Sequence, residues 1–187
     1  TTLKQRFRAG GRTLLRVSQL KQHDIARDLQ ASILQEVTSA LPQADLVVFS
    51  DFNYGILPQS LVDAISELAR THNVPMVADS QSSSQIGDIS RYQGMLLLKP
   101  TEREARLALR DSNSGLVILA ERLRQKTAAK NIVLTLGSEG LLIHATSKEA
   151  RGWITDQLPA FNSTPKDTAG AGDGAGLKED RQSRQNK

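Results

Sequence analysis

Residues 45–55 read DLVVFSDFNYG, and this stretch decides the fold class. Residues 45–49 form a short, continuous apolar run, which is typical of a strand that is buried on both faces of a sheet. The polar residues that follow end at Gly55, and Pro58 interrupts the chain before the next periodic segment. A buried strand with a polar exit indicates a parallel sheet of the α/β class.

Predicted helices flank this strand, and the alternation of strands and helices continues along the chain. Apolar residues recur at helical spacing over 24–41 and 59–72, and a second buried strand is predicted at 74–79. Further strands are predicted at 95–98 and 132–136, with helices at 102–109 and 115–129. Because strands joined through helices pair in parallel by right-handed crossovers, the pattern predicts a three-layer α/β/α fold with helices on both faces.

Two strand pairs without an intervening helix complete the pattern. Alternating runs at 2–8 and 12–18 surround a glycine pair and predict an N-terminal β-hairpin, and a second pair is predicted at 140–145 and about 152–161. We expect one domain over residues 1–177. Residues 178–187 carry no large apolar side chain, so we expect a polar, disordered tail.

Composition and charge narrow the classes of function. The chain has 187 residues, of which 39% are hydrophobic and 24% charged, as in a globular domain with one core. It has no cysteine, three scattered histidines and no apolar run of membrane-span length, so we expect a cytoplasmic protein without a zinc site. The net charge is +4, but the basic residues concentrate near the termini and aromatic residues are few, so no nucleic-acid partner is expected.

Polar or glycine-rich residues follow each of the four predicted parallel strands. These exits are residues 50–55, 79–81, 99–104 and 137–140. In open α/β sheets the ligand binds beyond the carboxyl ends of the strands. The four exits are therefore expected to line one crevice.

Residues 167–173 read DTAGAGD and place small residues between two carboxylates. The backbone of Gly170, Ala171 and Gly172 is accessible to an anion, and a following helix would complete a phosphate site. Asp173 could then take a proton from an alcohol, which is the chemistry of phosphoryl transfer. The alternative is an ordinary surface turn, with Asp173 as a solvated carboxylate or a helix cap.

These segments resemble the ribokinase-like, pfkB-type carbohydrate kinases. Residues 167–173 are similar to the family's D-T-x-G-A-G-D signature, and VLTLGSEG at 133–140 is similar to its T-x-G-x-x-G turn. SDFNYG at 50–55 resembles S-D-Y-x-x-G, and KPTERE at 99–104 resembles the segment with N-x-x-E. The order of these segments is closest to the sugar-kinase half of the heptose-7-phosphate kinase and adenylyltransferase proteins of ADP-heptose synthesis.

The resemblance implies ATP and Mg²⁺ as cofactors and a sugar or sugar-phosphate hydroxyl as the acceptor. Asp173 would be the catalytic base, and the amides of Gly170, Ala171 and Gly172 would hold the γ-phosphate. The implied nucleotide contacts are Thr135, Gly137, Gly140, Lys99, Thr101 and Asp167. The implied substrate contacts are Asp51, Lys4 and Arg6, and the implied metal contact is Glu104.

Other interpretations of these residues stay open. Thr101 and Glu104 have the spacing of a helix capping box, which alone would account for both. Gly137 and Gly140 could serve only as turn residues. Thr101 also stands where the family has asparagine, and Tyr54 stands where heptose kinases carry lysine.

The resemblance covers only the middle of the family domain. The sequence opens at the predicted hairpin, and residues 178–187 do not continue into the apolar helix that the family has there. We therefore expect little kinase activity from this chain alone. An exposed apolar sheet edge is also expected, which either is covered by a second copy or a partner chain or makes the chain poorly soluble. A non-catalytic nucleotide-binding or assembly module is the alternative function.

Overall fold

The computed structural model describes residues 3–9, 12–19, 23–80, 87–147 and 152–161. The DTAGAGD segment at 167–173 and the tail at 178–187 lie outside these ranges. The elements, in chain order, are β1 (Leu3–Ala9), β2 (Arg12–Gln19), α1 (Arg27–Ala40), β3 (Val47–Asp51), α2 (Gln59–Thr71), β4 (Met76–Ser80), β5 (Leu97–Leu98), α3 (Glu102–Leu109), α4 (Leu116–Thr127), β6 (Asn131–Thr135), β7 (Leu141–Ser147) and β8 (Gly152–Leu158). Each predicted element is present, with boundaries within three residues of the prediction.

The strands form two separate sheets. β1 and β2 pair as an antiparallel hairpin, as predicted. The other six strands form one mixed sheet in the order β3-β4-β5-β6-β7-β8. Strands β3 to β6 are parallel, and β7 and β8 continue the sheet in antiparallel pairing. The expectation of an α/β fold with a mostly parallel sheet is confirmed, whereas the expected helix layer on the second face is not found among the described residues, because the parallel strands advance in one direction.

The core of the described residues lies against one face of the large sheet. The parallel strands follow one another across the sheet in chain order, and right-handed crossovers that advance in one direction return over the same face. Strand side chains on that face, including Phe49, Ala78 and Leu134, are buried with the helices. On the opposite face, Val48 of the edge strand β3 is 58% exposed. β3 is thus an edge strand with an exposed apolar side chain, and the partner expected to cover this edge stays a prediction.

The helices form where the sequence supplies an apolar face and a suitable start. Pro58 precedes α2, whose Leu61, Val62 and Ile65 are buried against the sheet. Thr101 caps α3, which ends at Arg110 in the left-handed conformation. Within the described ranges, no helix is both long and apolar enough to cross a membrane.

Candidate active site

The carboxyl ends of the parallel strands bring the predicted polar exits together along one edge of the sheet. Ser50 pairs in register with Asp79 across β3 and β4. Lys99 follows β5 directly, and Thr101 forms an isolated parallel bridge with Thr135 at the end of β6. This polar edge is the candidate active-site crevice.

An ion pair joins two neighbouring exits of the crevice. The Nζ atom of Lys99 lies 3.0 Å from Oδ2 of Asp79. Both side chains are partly accessible, with relative exposures of 28% and 18%. Partly exposed ion pairs of this kind are weak, and the contact of Lys99 with a phosphate stays a prediction.

Asp51, the predicted substrate contact, is buried and accepts several hydrogen bonds. The Tyr92 hydroxyl donates to Oδ2 at 2.8 Å, and the backbone N–H of Asn53 donates to Oδ1 at 2.8 Å. Arg91 also lies 3.5 Å from Oδ2. Burial, and then the negative charge of Asp51, raise the pKa of Tyr92 well above its usual range. The carboxylate therefore anchors the 51–55 loop, and its contact with substrate stays a prediction.

Sequence reasoning did not identify Arg91 and Tyr92 as part of this edge. They lie on and after the short 3-10 turn Ile89–Arg91, which precedes β5. Forty-one positions separate Tyr92 from Asp51 along the chain. No local spacing marks such a pair, so only the folded arrangement shows it.

The capping-box interpretation of Thr101 and Glu104 is confirmed. The Thr101 hydroxyl accepts from the Glu104 N–H at 3.2 Å, and Oε2 of Glu104 accepts from the Thr101 N–H at 2.8 Å. The arrangement satisfies two backbone donors at the start of α3. Glu104 is 5% exposed, and its contact with magnesium stays a prediction.

Gly137 and Gly140 lie in the same turn but in different surroundings. Both have positive φ, at 63° and 94°. A Cβ atom on Gly140 would overlap the Leu158 carbonyl oxygen, whereas one on Gly137 would meet no atom of the described residues within 4 Å. Gly140 is therefore required where the chain leaves β8. The nucleotide contact of Gly137 stays a prediction, which this open space allows.

Side-chain contacts fix the first half of β8 to β7 and α4. His144 on β7 contacts the Thr155 hydroxyl through Nδ1 at 2.7 Å and the Glu121 carboxylate of α4 through Nε2 at 2.9 Å. The guanidinium of Arg124 lies 3.6 Å from the Trp153 ring centroid and also pairs with Glu121. The hydrogen bonds from Arg124 are the main cause of a lowered pKa of Glu121, at about 2.

Several predicted site residues are not placed in the crevice by the described structure. Lys4 and Arg6 lie on the separate hairpin, where Arg6 is exposed. Asp167, Gly170, Ala171, Gly172 and Asp173 lie outside the described residues. β8 runs parallel to β6, so the chain leaves it at the crevice edge, and Phe161 precedes Asp167 by six positions. The roles of all these residues stay predictions.

The described residues contain no group of three histidine or acidic side chains able to hold a metal ion. Mg²⁺ commonly uses one or two carboxylates together with phosphate oxygens and water. Glu104, which follows the carboxyl end of β5, could supply one such carboxylate. A magnesium site made of protein ligands alone does not fit this part of the chain.

Solved structures of sugar kinases share this fold. Phosphofructokinase-2 from Escherichia coli, in complex with substrates and products, superposes with a TM-score of 0.64 over 92% of this chain and 54% of its own, at 17% identity. Ribokinase from Giardia lamblia gives a TM-score of 0.59 over 85% of this chain and 48% of its own, at 20% identity. The fold is therefore ribokinase-like, as expected.

Sequence comparison points to the same family. The curated bifunctional protein HldE of Desulfatibacillum aliphaticivorans is 27% identical over 177 residues, which are 92% of this chain and 34% of that protein. The chain thus spans about a third of the length of this relative. The model of the pfkB family of carbohydrate kinases matches residues 17–175. The chain belongs to the pfkB carbohydrate kinase family.

Proposed function

We propose that the crevice binds ATP and that the chain takes part in phosphoryl transfer from ATP to a hydroxyl of a sugar or sugar phosphate. The observation that carries this proposal is the row of polar exits at one sheet edge. Lys99 is a cation with an accessible carboxylate partner, and it lies beside Thr101 and Thr135. Family membership supports the class of reaction.

The nucleotide would lie along the end of β6 and the turn that follows it. A Cβ atom on Gly137 would have no neighbour within 4 Å among the residues that the structure describes, so the ribose or base could approach the backbone closely there. Lys99 and Thr101 would contact phosphate oxygens from the neighbouring exits. Charge-assisted hydrogen bonds of this kind are stronger than neutral ones.

The transfer step would depend on the 167–173 segment. Asp173 would accept the proton of the attacking hydroxyl, while the amides of Gly170 to Gly172 stabilise the charge of the phosphoryl group. Glu104 would hold the magnesium ion that accompanies ATP, whose chemistry is to neutralise phosphate charge. Since ATP is a cytoplasmic substrate, the proposed reaction belongs to the cytoplasm.

The similarity to HldE proteins supports a heptose 7-phosphate as the candidate acceptor. Because the chain spans about a third of those relatives, a second copy or another polypeptide would complete the sheet edge and the sugar pocket. A nucleotide-binding module without catalysis is the second candidate function. Two hydrogen bonds favour this second function. Asp51 accepts one from Tyr92 and Glu104 accepts one from Thr101, so both carboxylates already have structural roles.

Two measurements on the purified chain separate these functions. Calorimetric titration with MgATP tests binding, and transfer of labelled γ-phosphate to heptose 7-phosphate tests catalysis. We expect ATP binding and slow transfer, with Asp173→Asn lowering transfer by about a hundredfold and leaving ATP affinity nearly unchanged. Binding without any transfer would support the module, and absence of ATP binding would reject both.

A further inference from the structure

A cleft lies along the outer face of α3, away from the residues assigned to the crevice. Its volume is about 430 Å³, and its lining includes Arg103, Arg106, Leu107, Arg110 and Ser112. Sites for small molecules commonly range from roughly 300 to 1,000 Å³. The buried residues of α3, Glu104, Ala105 and Ala108, have different helical positions and face the core. The cleft is therefore a separate surface of the same helix.

One wall of the cleft is fixed by Arg106. Its Nε donates to Oε1 of Glu102 at 2.8 Å, and its Nη1 donates to the carbonyl oxygen of Ser114 at 3.1 Å. Asp111, which also lines the cleft, accepts hydrogen bonds from Ser114 and pairs with Arg122. The acidic side chains of the cleft are thus already matched by basic or polar groups.

Two further arginines remain available on the same face. Arg103 and Arg110 are exposed, and neither side chain forms a hydrogen bond or ion pair with any residue in the described ranges. Both line the cleft together with Leu107, which stands four positions after Arg103 and three before Arg110. Leu107 is 42% exposed between them. The cleft therefore combines two arginines, Arg103 and Arg110, whose side chains are unpaired among the described residues, with one exposed apolar side chain, Leu107.

The backbone of Arg110 makes it a suitable position for a test variant. This residue ends α3 in the left-handed conformation, with φ at 51°, as Ala128 ends α4. Glycine is the favoured residue at such a position because a side chain is disfavoured there. Replacing Arg110 by glycine therefore removes the cation without straining the backbone.

We propose that this cleft binds a phosphorylated small molecule. Arg103 and Arg110 would contact the phosphate, since guanidinium groups match phosphate oxygens in bidentate geometry. Leu107 would contact an apolar or ring portion of the ligand. The site is independent of the proposed ATP crevice, and it goes beyond the kinase function.

Phenyl phosphate is a suitable probe because it combines one phosphate with one apolar ring. Titration into the ¹⁵N-labelled chain, followed by NMR, should shift the Nε–H signals of Arg103 and Arg110. We expect Arg103→Gln and Arg110→Gly each to weaken binding by about tenfold or more. Leu107→Ser should weaken phenyl phosphate but leave inorganic phosphate nearly unchanged.

Controls separate binding from folding and from the crevice. Arg110→Gly should keep or raise the thermal midpoint, because glycine suits the left-handed position. Arg70→Gln removes an exposed arginine on α2 and should leave binding unchanged. Gly137→Val should leave the Arg103 and Arg110 shifts unchanged.

Three outcomes would overturn the proposal. One is the same affinity in Arg103→Gln and Arg110→Gly as in the parent. Another is the loss of these shifts in Gly137→Val, which would place the probe in the crevice. The third is binding of a polyglutamate peptide at these arginines without binding of phenyl phosphate, which would indicate a docking surface for an acidic protein.

Discussion

Lys99 on the exit of β5 forms an ion pair with Asp79 on the exit of β4, with 3.0 Å between Nζ and Oδ2. Partly exposed pairs of this kind contribute about 0 to 1 kcal/mol to stability. The fold therefore depends little on this pair. In the proposed function, its position in the row of strand exits would instead place a cation beside an ATP phosphate.

Replacing Lys99 by methionine should affect ATP binding more than stability. The variant keeps the apolar stem and loses the charge, so the free energy of unfolding should change by less than about 1 kcal/mol. The affinity for MgATP, measured by calorimetry, should fall by about tenfold. Lys130→Met is the matched control, because Lys130 precedes β6 at the opposite end of that strand. Equal ATP affinity in the two variants would contradict the role of Lys99.

Substitution of Gly140 should destabilise the fold. A Cβ atom there would overlap the Leu158 carbonyl, and the residue has a φ of 94°. We expect Gly140→Ala to lower the free energy of unfolding by about 2 kcal/mol or more, because both overlap and strain add. Gly115→Ala, at an open position with ordinary φ, should cost less than about 1 kcal/mol, because it changes only the N-cap of α4. Urea denaturation checks both values, and equal stability would be evidence against the close approach of β8.

Substitutions of Thr101 test two points: whether its side chain caps α3, and whether the asparagine that the family has at this position improves phosphate transfer. Thr101→Ala removes the cap of α3 and should cost about 1 kcal/mol in urea denaturation. Thr101→Asn keeps a capping oxygen, so its stability should match the parent. If the family resemblance carries function, the asparagine variant should also transfer phosphate faster than the parent. A loss of stability equal to that of the alanine variant would refute the capping assignment.

The Glu121 network should make stability depend on pH in the acid range. The pKa of Glu121 is lowered from 4.5 to about 2, first by hydrogen bonds from Arg124. The folded state thus favours the ionised form, and this contribution is present above the unfolded pKa and is lost as pH falls from 4.5 towards 2.

Glu121→Gln should therefore be less stable than the parent at about pH 6, with the difference narrowing at about pH 3. The urea midpoints of both proteins at the two pH values measure this difference in stability. If the difference in stability between Glu121→Gln and the parent were the same at both pH values, ionisation of Glu121 would not contribute to stability. Glu67→Gln, which removes an exposed carboxylate paired with Arg70, is the control.

The periodic sequence pattern was sufficient to predict the elements and the polar edge, because both arise from local hydrophobic spacing. The pairing of Thr101 with Glu104 was also within reach, since a capping box is a local arrangement. The hydrogen bond from Tyr92 to Asp51 could not be predicted from the sequence, because it joins distant segments that meet only in the fold. Likewise, the turn gives no local sign that Gly140, and not Gly137, faces the exit of β8.

ATP binding at the open Gly137 backbone tests the central claim most directly. Calorimetric titration with MgATP should compare the parent with Gly137→Val and with Gly94→Val, because both glycines have positive φ, at 63° and 71°, and a Cβ atom on either would come no closer than 3.9 Å to any atom of the described residues. Our account predicts that the parent and Gly94→Val bind ATP alike, whereas Gly137→Val loses affinity by about tenfold or more, with urea denaturation checking that both variants are folded. Equal ATP affinity in all three proteins, or no binding by the parent, would contradict it.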